Sequence, residues 1–485
     1  MEVSLSSRPA AEVAADLLVL PVREGCDPGL GLGAVLGQVR FTGRAGQDLL
    51  LPRRDGDAFR ASAVLLVGLG ADDDGHTVRR AVGRVAPRLA DFPTVAVAFP
   101  DAQAVIEGVR LGGYRFDGYK SEPRGHAVRE LIVLAGGDPR GVARAGIVAD
   151  AVTFARDLVN TPAGDLVPMD LAERARAMAE TYGLGVRVLE TAALGAGGFG
   201  GVLGVGAASA NPPCLIEVSH PGDGAHATVG LAGKGITFDS GGLAIKGQGA
   251  MSTMKCDMAG GATMLAVVQA AARLELPVGV TAVVPAAENM VSGSAIRPGD
   301  VLTHRNGRTT EVTDTDSEGR LVLADALAYL AESSPDVLID AATLTYSVMH
   351  ALGEDITGVI GSDRRLVGEL IAAGARAGEP MWELPLWEPY ADRLSSEIAD
   401  ARNEGGSLAD ATIAALFLRP FTAGLPWAHL DFATTAYLDK ATDLGPAGAT
   451  GAMVRTLIGY LETRSQAGPE TRPRPGVTVG HGDLR

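Results

Sequence analysis

Cysteine is scarce in this chain: Cys26, Cys214 and Cys256 among 485 residues, odd in number and far apart. That excludes a disulfide framework, and the lack of any CxxC or Cys/His spacing excludes a thiolate zinc site. No HExxH occurs, which excludes a mononuclear zinc hydrolase of that motif. No stretch approaches the roughly 20 apolar residues that a membrane helix needs. The first 22 residues have no basic start, apolar run and cleavage site in succession, so no secretory leader is expected. Basic residues are outnumbered, 42 Lys plus Arg against 58 Asp plus Glu, for a formal charge of −16. Such a surface repels nucleic acid and anionic membrane over most of its area, although it leaves room for a local basic patch. A soluble protein of a reducing, cytoplasmic compartment is the expectation.

Hydrophobic residues make up 46% and charged residues 21%, ordinary proportions for a chain that buries a core. In the first part, apolar β-branched runs at Leu17–Val22, Ala63–Val67, Val95–Phe99 and Leu131–Leu134 read as strands. They alternate with helical stretches at Val78–Leu89 and Gln103–Leu111. Gly141–Val159 has helical spacing and ends at Asn160-Thr161-Pro162, where proline disfavours helix, so it reads as a linking helix and hinge. The pattern then resumes with strands at Gly185–Leu189, Pro213–Val218, Ala227–Leu231, Val278–Val284 and Val337–Ala341. Helices are expected at Met169–Tyr182, Thr263–Leu274, Leu321–Glu332 and Ala411–Leu418. The expected fold is α/β: an N-terminal α/β domain over 1–145, a linking helix and hinge over 146–168, and a larger C-terminal domain over 169–464. That larger domain should carry a mixed, mostly parallel sheet flanked by helices. The Pro-, Gly- and charge-rich end, 465–485, reads as a disordered tail.

The chemistry concentrates between Lys234 and Arg320. Gly233-Lys-Gly-Ile-Thr-Phe-Asp-Ser-Gly-Gly242 carries Lys234 and Asp239, and Lys246 follows seven residues after Asp239. Asp257 stands in Met254-Lys-Cys-Asp-Met258, and Asp316 and Glu318 in Asp314-Thr-Asp-Ser-Glu-Gly-Arg320. Carboxylates suit Mg, Mn or Zn, and four of them can bridge two cations. Each residue also has a blander reading. Asp316 and Glu318 fit a solvated turn with Glu318 at a helix start, and Asp257 fits a helix cap. Lys234 and Lys246 fit surface lysines, and Met254 fits core packing. Together these readings weaken, because three charged, glycine-flanked loops all precede apolar helices.

Other patterns are decoys. Gly195-Ala-Gly-Gly-Phe-Gly200 fits GxGxxG, but the glycine-broken run after it reads as a flexible loop and no acidic residue sits at a strand end beyond it. Gly230–Gly235 lacks the spacing and hydroxyl of a phosphate loop. His429 in its apolar run reads as a satisfied core histidine, and Cys256 as a small buried hydrophobe.

With these residues in view, the chain resembles the cytosolic two-metal leucine aminopeptidases over nearly everything after about Arg156, and more weakly before it. The likeness rests on Arg156–Pro162, Pro285–Met290, Ala295–Asp300, Ala342–Thr345, Ala399-Asp400 with Asn403, Trp427–Asp431 and Gly448–Gly451, beside the seven charges. It implies that Lys234, Asp239, Asp257, Asp316 and Glu318 bind two divalent ions (Mn or Zn, with Mg and Co also admitted), Lys234 as a neutral amine. It implies that Asp239 and Glu318 bridge the ions, and that Asp316 adds its backbone carbonyl. It implies further that Lys246 stabilises the oxyanion and that Arg320 holds a bicarbonate serving as base for a metal-activated water. One ion would bind the free α-amine, restricting cleavage of peptides to the N-terminal residue. Met254, Thr343 and Tyr346 would line the pocket for the first side chain. A homohexamer, built as a dimer of trimers, is implied by the resemblance alone.

The chain departs from the family pattern at four places: Asp314 for a usual Asn, Ser317 for Ala, and Tyr346 and Thr434 for Gly. The phenol of Tyr346 is expected to shift preference away from leucine. A rival reading is a DNA-binding regulatory hexamer with secondary peptidase activity. The charge of −16 and the absence of a basic arm or helix-turn-helix oppose it.

Overall fold

The computed structural model describes residues 1–36, 39–122, 128–136 and 138–466. Two sheets organise it. The N-terminal one has six strands in the spatial order Glu2–Leu5, Glu130–Val133, Thr94–Val97, Leu17–Arg23, Ala63–Gly70 and Asp48–Pro52. All pair in parallel except the edge strand Asp48–Pro52, which runs antiparallel to its neighbour. Leu17, Leu65, Val95 and Leu131 face helices Gly75–Leu89 and Ala102–Gly112 in one apolar cluster, while Leu18, Val64, Leu66 and Ala96 pack on the opposite face. Burial on both faces explains why these strands read as continuous apolar runs.

The second sheet has nine strands. Its path runs Met381–Glu383, Thr357–Gly361, Trp427–Asp431, Val337–Ala342, Thr228–Gly233, Gly279–Asn289, Cys214–His220 and Gly185–Leu189, with Gly235–Asp239 pairing the far end of Gly279–Asn289. It is mixed: the four central strands are parallel, and antiparallel pairings lie toward the edges. Helix Ala259–Arg273 covers one face and helix Glu318–Ala331 the other, each with 13 buried residues.

The linking helix is Pro139–Asn160, capped by Asp138, and it begins earlier than its apolar spacing suggested. It joins helix Ala102–Gly112 to the segment 444–450 through Arg156, whose buried guanidinium donates to the carbonyls of Leu111, Leu444 and Thr450. Burial pulls the Arg156 pKa down to about 10, so the position is costly to leave unsatisfied.

Two expectations, and one of the blander readings set aside above, need correction. The stretch around Gly195–Gly206 is two short helices, Thr191–Gly197 and Gly200–Gly206, and not a flexible loop. Its glycines serve close packing: a Cβ on Gly200 would meet the Thr303 carbonyl oxygen at 2.1 Å, and one on Gly201 the Leu321 carbonyl oxygen at 2.3 Å. The tail does not start at 465, because helix Val454–Gln466 includes Ser465 and Gln466; residues 467–485 lie outside the described residues. The third correction concerns Asp257, which caps nothing. It is buried within the 3-10 turn Met254–Met258, facing Lys234. Short edge strands, such as Glu2–Leu5 and Asp48–Pro52, carried too few residues for a period to be read.

Candidate metal centre and cleft

The central strands deliver the charged residues to one edge of the sheet. Lys234 lies between strands Thr228–Gly233 and Gly235–Asp239, and Asp239 ends the second. Gly241 and Gly242, at φ +85° and +62°, then turn the chain back. A Cβ on Gly241 would meet the Ala244 carbonyl oxygen at 2.4 Å, so only glycine fits this return. The Lys246 amide donates to the Ser240 carbonyl and closes the loop. Thr315 fastens it to the Asp314–Arg320 loop, donating to the Gly241 carbonyl and accepting from the Ala244 amide. Asn289 Nδ2 donates both to Asp239 Oδ1 and to the Thr315 carbonyl, at 2.8 and 2.9 Å. The two loops therefore hold each other in register.

All seven predicted charges come to this edge, though not into one cluster. Lys234 Nζ lies 2.8 Å from Asp257 Oδ2 and 2.6 Å from Glu318 Oε1. Lys246 Nζ lies 2.8 Å from Asp239 Oδ2 and 2.5 Å from Asp316 Oδ1. Asp239, Asp316 and Glu318 can each offer an oxygen within 4.8 Å of the others. Arg320 stands to the side. Its Nη1 donates to the Asn403 carbonyl and its Nη2 to Asp410 Oδ1, at 2.8 and 2.7 Å. Asn403 also accepts from the Thr313 amide and donates to the Asp314 carbonyl, supporting the loop from beneath.

The electrostatics are those of a cation site. Four carboxylates meet two lysines, leaving two negative charges in a region where Asp239, Asp257 and Glu318 are 1–3% exposed. Burial, reinforced by neighbouring carboxylates, raises the pKa values of Asp257 and Glu318 above their ordinary range. The same causes push Asp316 up to about 7. Burial opposes charge on Lys234 and Lys246, yet the surrounding carboxylates outweigh it and raise both. The two lysines do not reach every carboxylate oxygen. Glu318 Oε2 is buried without a partner, and Asp257 Oδ2, Glu318 Oε1 and Asp316 Oδ1 have a lysine nitrogen alone at ion-pair distance. Unsatisfied buried carboxylate oxygens are costly, and a dication relieves them without needing directional hydrogens. The residues present fit divalent metal.

These groups open into a cleft of about 380 Å³. Clefts of 680 and 670 Å³ lie between the N-terminal helices and the linking helix, but they lack converging carboxylates. Met254, Thr343, Tyr346 and Thr434 all line the smaller one. Thr343 also donates to Asp257 Oδ1 at 2.7 Å, so it positions as well as lines. Tyr346 is half exposed, its ring centroid 5.8 Å from Lys246 Nζ. Thr434 turns its hydroxyl onto the Ile356 carbonyl. Asp314 accepts from the Asp316 amide and the Ser317 hydroxyl, so the two departures in that loop bind each other. The sequence reading gave no role to Asn289, Thr315 or Asp410. Asn289 and Thr315 stand beside charged residues without any spacing of their own, and Asp410 looks like an ordinary first-turn carboxylate. Cys256 is buried as expected, and His429 is a buried core residue satisfied at one nitrogen only: Nδ1 is on Asp340 Oδ1 at 2.5 Å, and Nε2 has no partner among the described residues.

Comparison with known proteins agrees with this geometry. Residues 153–458 match the catalytic domain of the cytosol aminopeptidase family, and residues 29–123 its N-terminal domain. The chain belongs to the cytosol aminopeptidase family. It is a metal-dependent aminopeptidase of the leucyl type, working with divalent cations. A probable cytosol aminopeptidase of Roseiflexus castenholzii is 42% identical, covering 96% of this chain and 100% of its own. One from Streptomyces avermitilis is 43% identical, covering 92% of each. Among solved structures, the bottromycin maturation enzyme BotP in complex with Mn superposes with TM-score 0.86 at 40% identity, over 93% of this chain and 100% of that one. A mutant of tomato leucine aminopeptidase gives 0.87 at 30% identity, over 96% of each. No helix among the described residues is long and apolar enough to cross a membrane.

Proposed function

We propose that this aminopeptidase removes the first residue of peptides at a centre of two divalent ions, held by Lys234, Asp239, Asp257, Asp316 and Glu318. The observation that carries this reading is the convergence of Asp239, Asp316 and Glu318, each offering an oxygen within 4.8 Å of the others, with Glu318 Oε2 buried and unpartnered. The chemistry supplied by two bound ions is activation of a water and polarisation of the scissile carbonyl. Manganese is the first candidate, because BotP is solved with Mn and oxygen ligands suit it. Zinc, magnesium and cobalt are the alternatives to be compared.

Around that centre the chain's own residues have separable roles. Lys246, 8% exposed at its side chain, presents positive charge to the carbonyl oxygen as it becomes an oxyanion. Arg320 holds an anion that accepts the proton of the attacking water, the place for which bicarbonate is expected. Met254, Thr343 and Tyr346 bound the pocket for the first side chain, and Tyr346 narrows it, moving preference away from leucine. The negative cleft attracts a free α-ammonium, an electrostatic reason for acting at the N terminus.

The domain division at 1–145, 146–168 and 169–464 is part of this reading, supported by the two sheets and the helix between them. So is a cytoplasmic homohexamer, supported by family membership and by the exposed Trp382, Trp387, Ile398 and Leu408. A DNA-binding role has no observation in its favour. The test is hydrolysis of a panel of N-terminal residues after chelation and re-addition of Mn, Zn, Mg or Co. Metal-restored cleavage supports the reading, and its absence under every metal overturns it.

A further inference from the structure

We infer that the cleft between the N-terminal helices and segment 441–447 binds a small phosphomonoester, held by Arg84 and Arg115. This cleft, of about 680 Å³, shares no lining residue with the carboxylate-lined one, and the inference does not depend on the peptidase reading. Its position follows from close packing. Helix Gly75–Leu89 approaches its neighbours at Gly83, where a Cβ would meet the Asp443 carbonyl oxygen at 2.4 Å. A Cβ on Gly112, in helix Ala102–Gly112, would meet the Gly83 carbonyl oxygen at 2.1 Å. Only glycine allows both approaches. Arg84 follows Gly83 directly, so the same packing carries its guanidinium to the wall of the cleft.

The charges on that wall are unbalanced. Arg84, Arg115 and Lys120 line it against one carboxylate, Asp117, giving an excess of two positive charges in a chain of net charge −16. Lys120 Nζ lies on Asp117 Oδ1 at 2.7 Å, whereas Arg84 and Arg115 make no hydrogen bond or ion pair among the described residues. Neighbouring arginines are paired: Arg79 with Glu107, Arg80 with Asp443, Arg110 with Asp150 and Arg144 with Glu462. Arg84 Nε and Nη2 are moreover buried. Burying the donors of a cation without a partner costs free energy, and an anion on the nitrogen left open, Nη1, offsets it.

The chemistry of the ligand follows from the charge and from the remaining wall. A guanidinium forks onto the oxygens of phosphate and carboxylate alike. A phosphomonoester carries about −1.5 to −2 at pH 7, which matches the excess of two, whereas a monocarboxylate leaves half of it uncompensated. Phe116, Pro87 and Pro446 supply an apolar surface for an organic substituent. The volume lies within the roughly 300–1,000 Å³ of small-molecule sites, well beyond the needs of an inorganic ion. Duplex nucleic acid is disfavoured, because the acidic surface outside the cleft repels it.

The experiment is isothermal titration of the metal-loaded protein, and of the protein after chelation, with phenyl phosphate. Saturable binding is expected in both, since the metal centre is not the site. Arg84→Gln and Arg115→Gln are each expected to weaken it by about 10–100-fold, while kcat and KM without phosphate keep their wild-type values. Arg115 lies outside any helix or strand, so its variant remains informative if Arg84→Gln fails to fold. Benzoate should bind about tenfold or more weakly than phenyl phosphate, having lost one charge-assisted contact. No saturable binding, binding confined to the metal-loaded protein, or wild-type affinity in both variants would overturn the inference. So would benzoate that binds as tightly as phenyl phosphate, which would assign the cleft to a carboxylate. Duplex DNA whose binding is lost in the same two variants would overturn it in favour of nucleic acid.

Discussion

Gly319→Ala tests the placement of Lys234 without touching any charged group. Gly319 lies in the first turn of helix Glu318–Ala331, between Glu318 and Arg320, and its backbone is not left-handed, so alanine is conformationally allowed. A Cβ there would lie 2.6, 2.7 and 2.8 Å from Lys234 Cε, Nζ and Cδ. Ordinary carbon contacts are about 3.5–4.0 Å, so the lysine side chain must retreat by about 1 Å. It has little room, since it is 4% exposed and boxed by Asp257, Glu318 and the Thr343 carbonyl. Alanine gains about 1 kcal/mol over glycine in a helix interior. Overpacking a buried site costs about 1–3 kcal/mol, so the fold should lose no more than about 2 kcal/mol. Metal binding should suffer more: a ligand or its support pushed off position costs about 10–100-fold in affinity. A misplacement near 1 Å costs about 10²-fold in rate. Equilibrium dialysis measures metal affinity, steady-state kinetics the turnover, and urea unfolding of the metal-free protein the stability. Gly368→Ala is the control, because nothing lies within 4 Å of its Cβ position in helix Arg364–Ala377. Wild-type metal affinity and turnover in Gly319→Ala would refute the assignment of Lys234 to the metal centre.

Further outcomes follow from other contacts. Lys246→Ala should lower kcat by ~10²–10³-fold with metal content intact by atomic emission; loss of metal would mean that Lys246 is a ligand. Tyr346→Gly should raise kcat/KM for leucine and larger first residues relative to alanine, read from the substrate panel, and an unchanged ranking would place the phenol outside the pocket. Arg156→Met should destabilise the chain by about 3–5 kcal/mol in urea unfolding, because one buried and two half-buried carbonyls lose their donor. Burial disfavours the His429 cation, but Asp340 outweighs it and raises the pKa above the ordinary 6.5. The stability from that pair is therefore fully present below 6.5 and is lost as pH rises through the raised value. Asp340→Asn should remove that slope from unfolding free energies measured across pH 5–9, and an identical slope in the variant would show that the pair does not contribute it.

Long, strongly patterned segments were legible in advance. Strand Gly185–Leu189 matches its expected bounds, and helices such as Gly75–Leu89 and Pro168–Tyr182 differ by a few residues at one end. Their signal is local, because apolar period and burial coincide within one element. The glycines of 195–206 misled because glycine reads locally as chain freedom, whereas here it permits two helices to pack against the Thr303 and Leu321 carbonyls.

The amino-acid sequence by itself determined the α/β class, the acidic surface and the seven charged positions between Lys234 and Arg320, since composition, period and motif spacing are written along the chain. Tertiary structure alone decided how those charges divide: Lys234 with Asp257 and Glu318, Lys246 with Asp239 and Asp316, and Arg320 apart from both, on Asp410. That division depends on residues up to 90 positions apart meeting in space, as Arg320 and Asp410 do from the first turns of two different helices. Which oxygens are left without a hydrogen bond is a property of the packed loops and helices around them, and no local pattern encodes it.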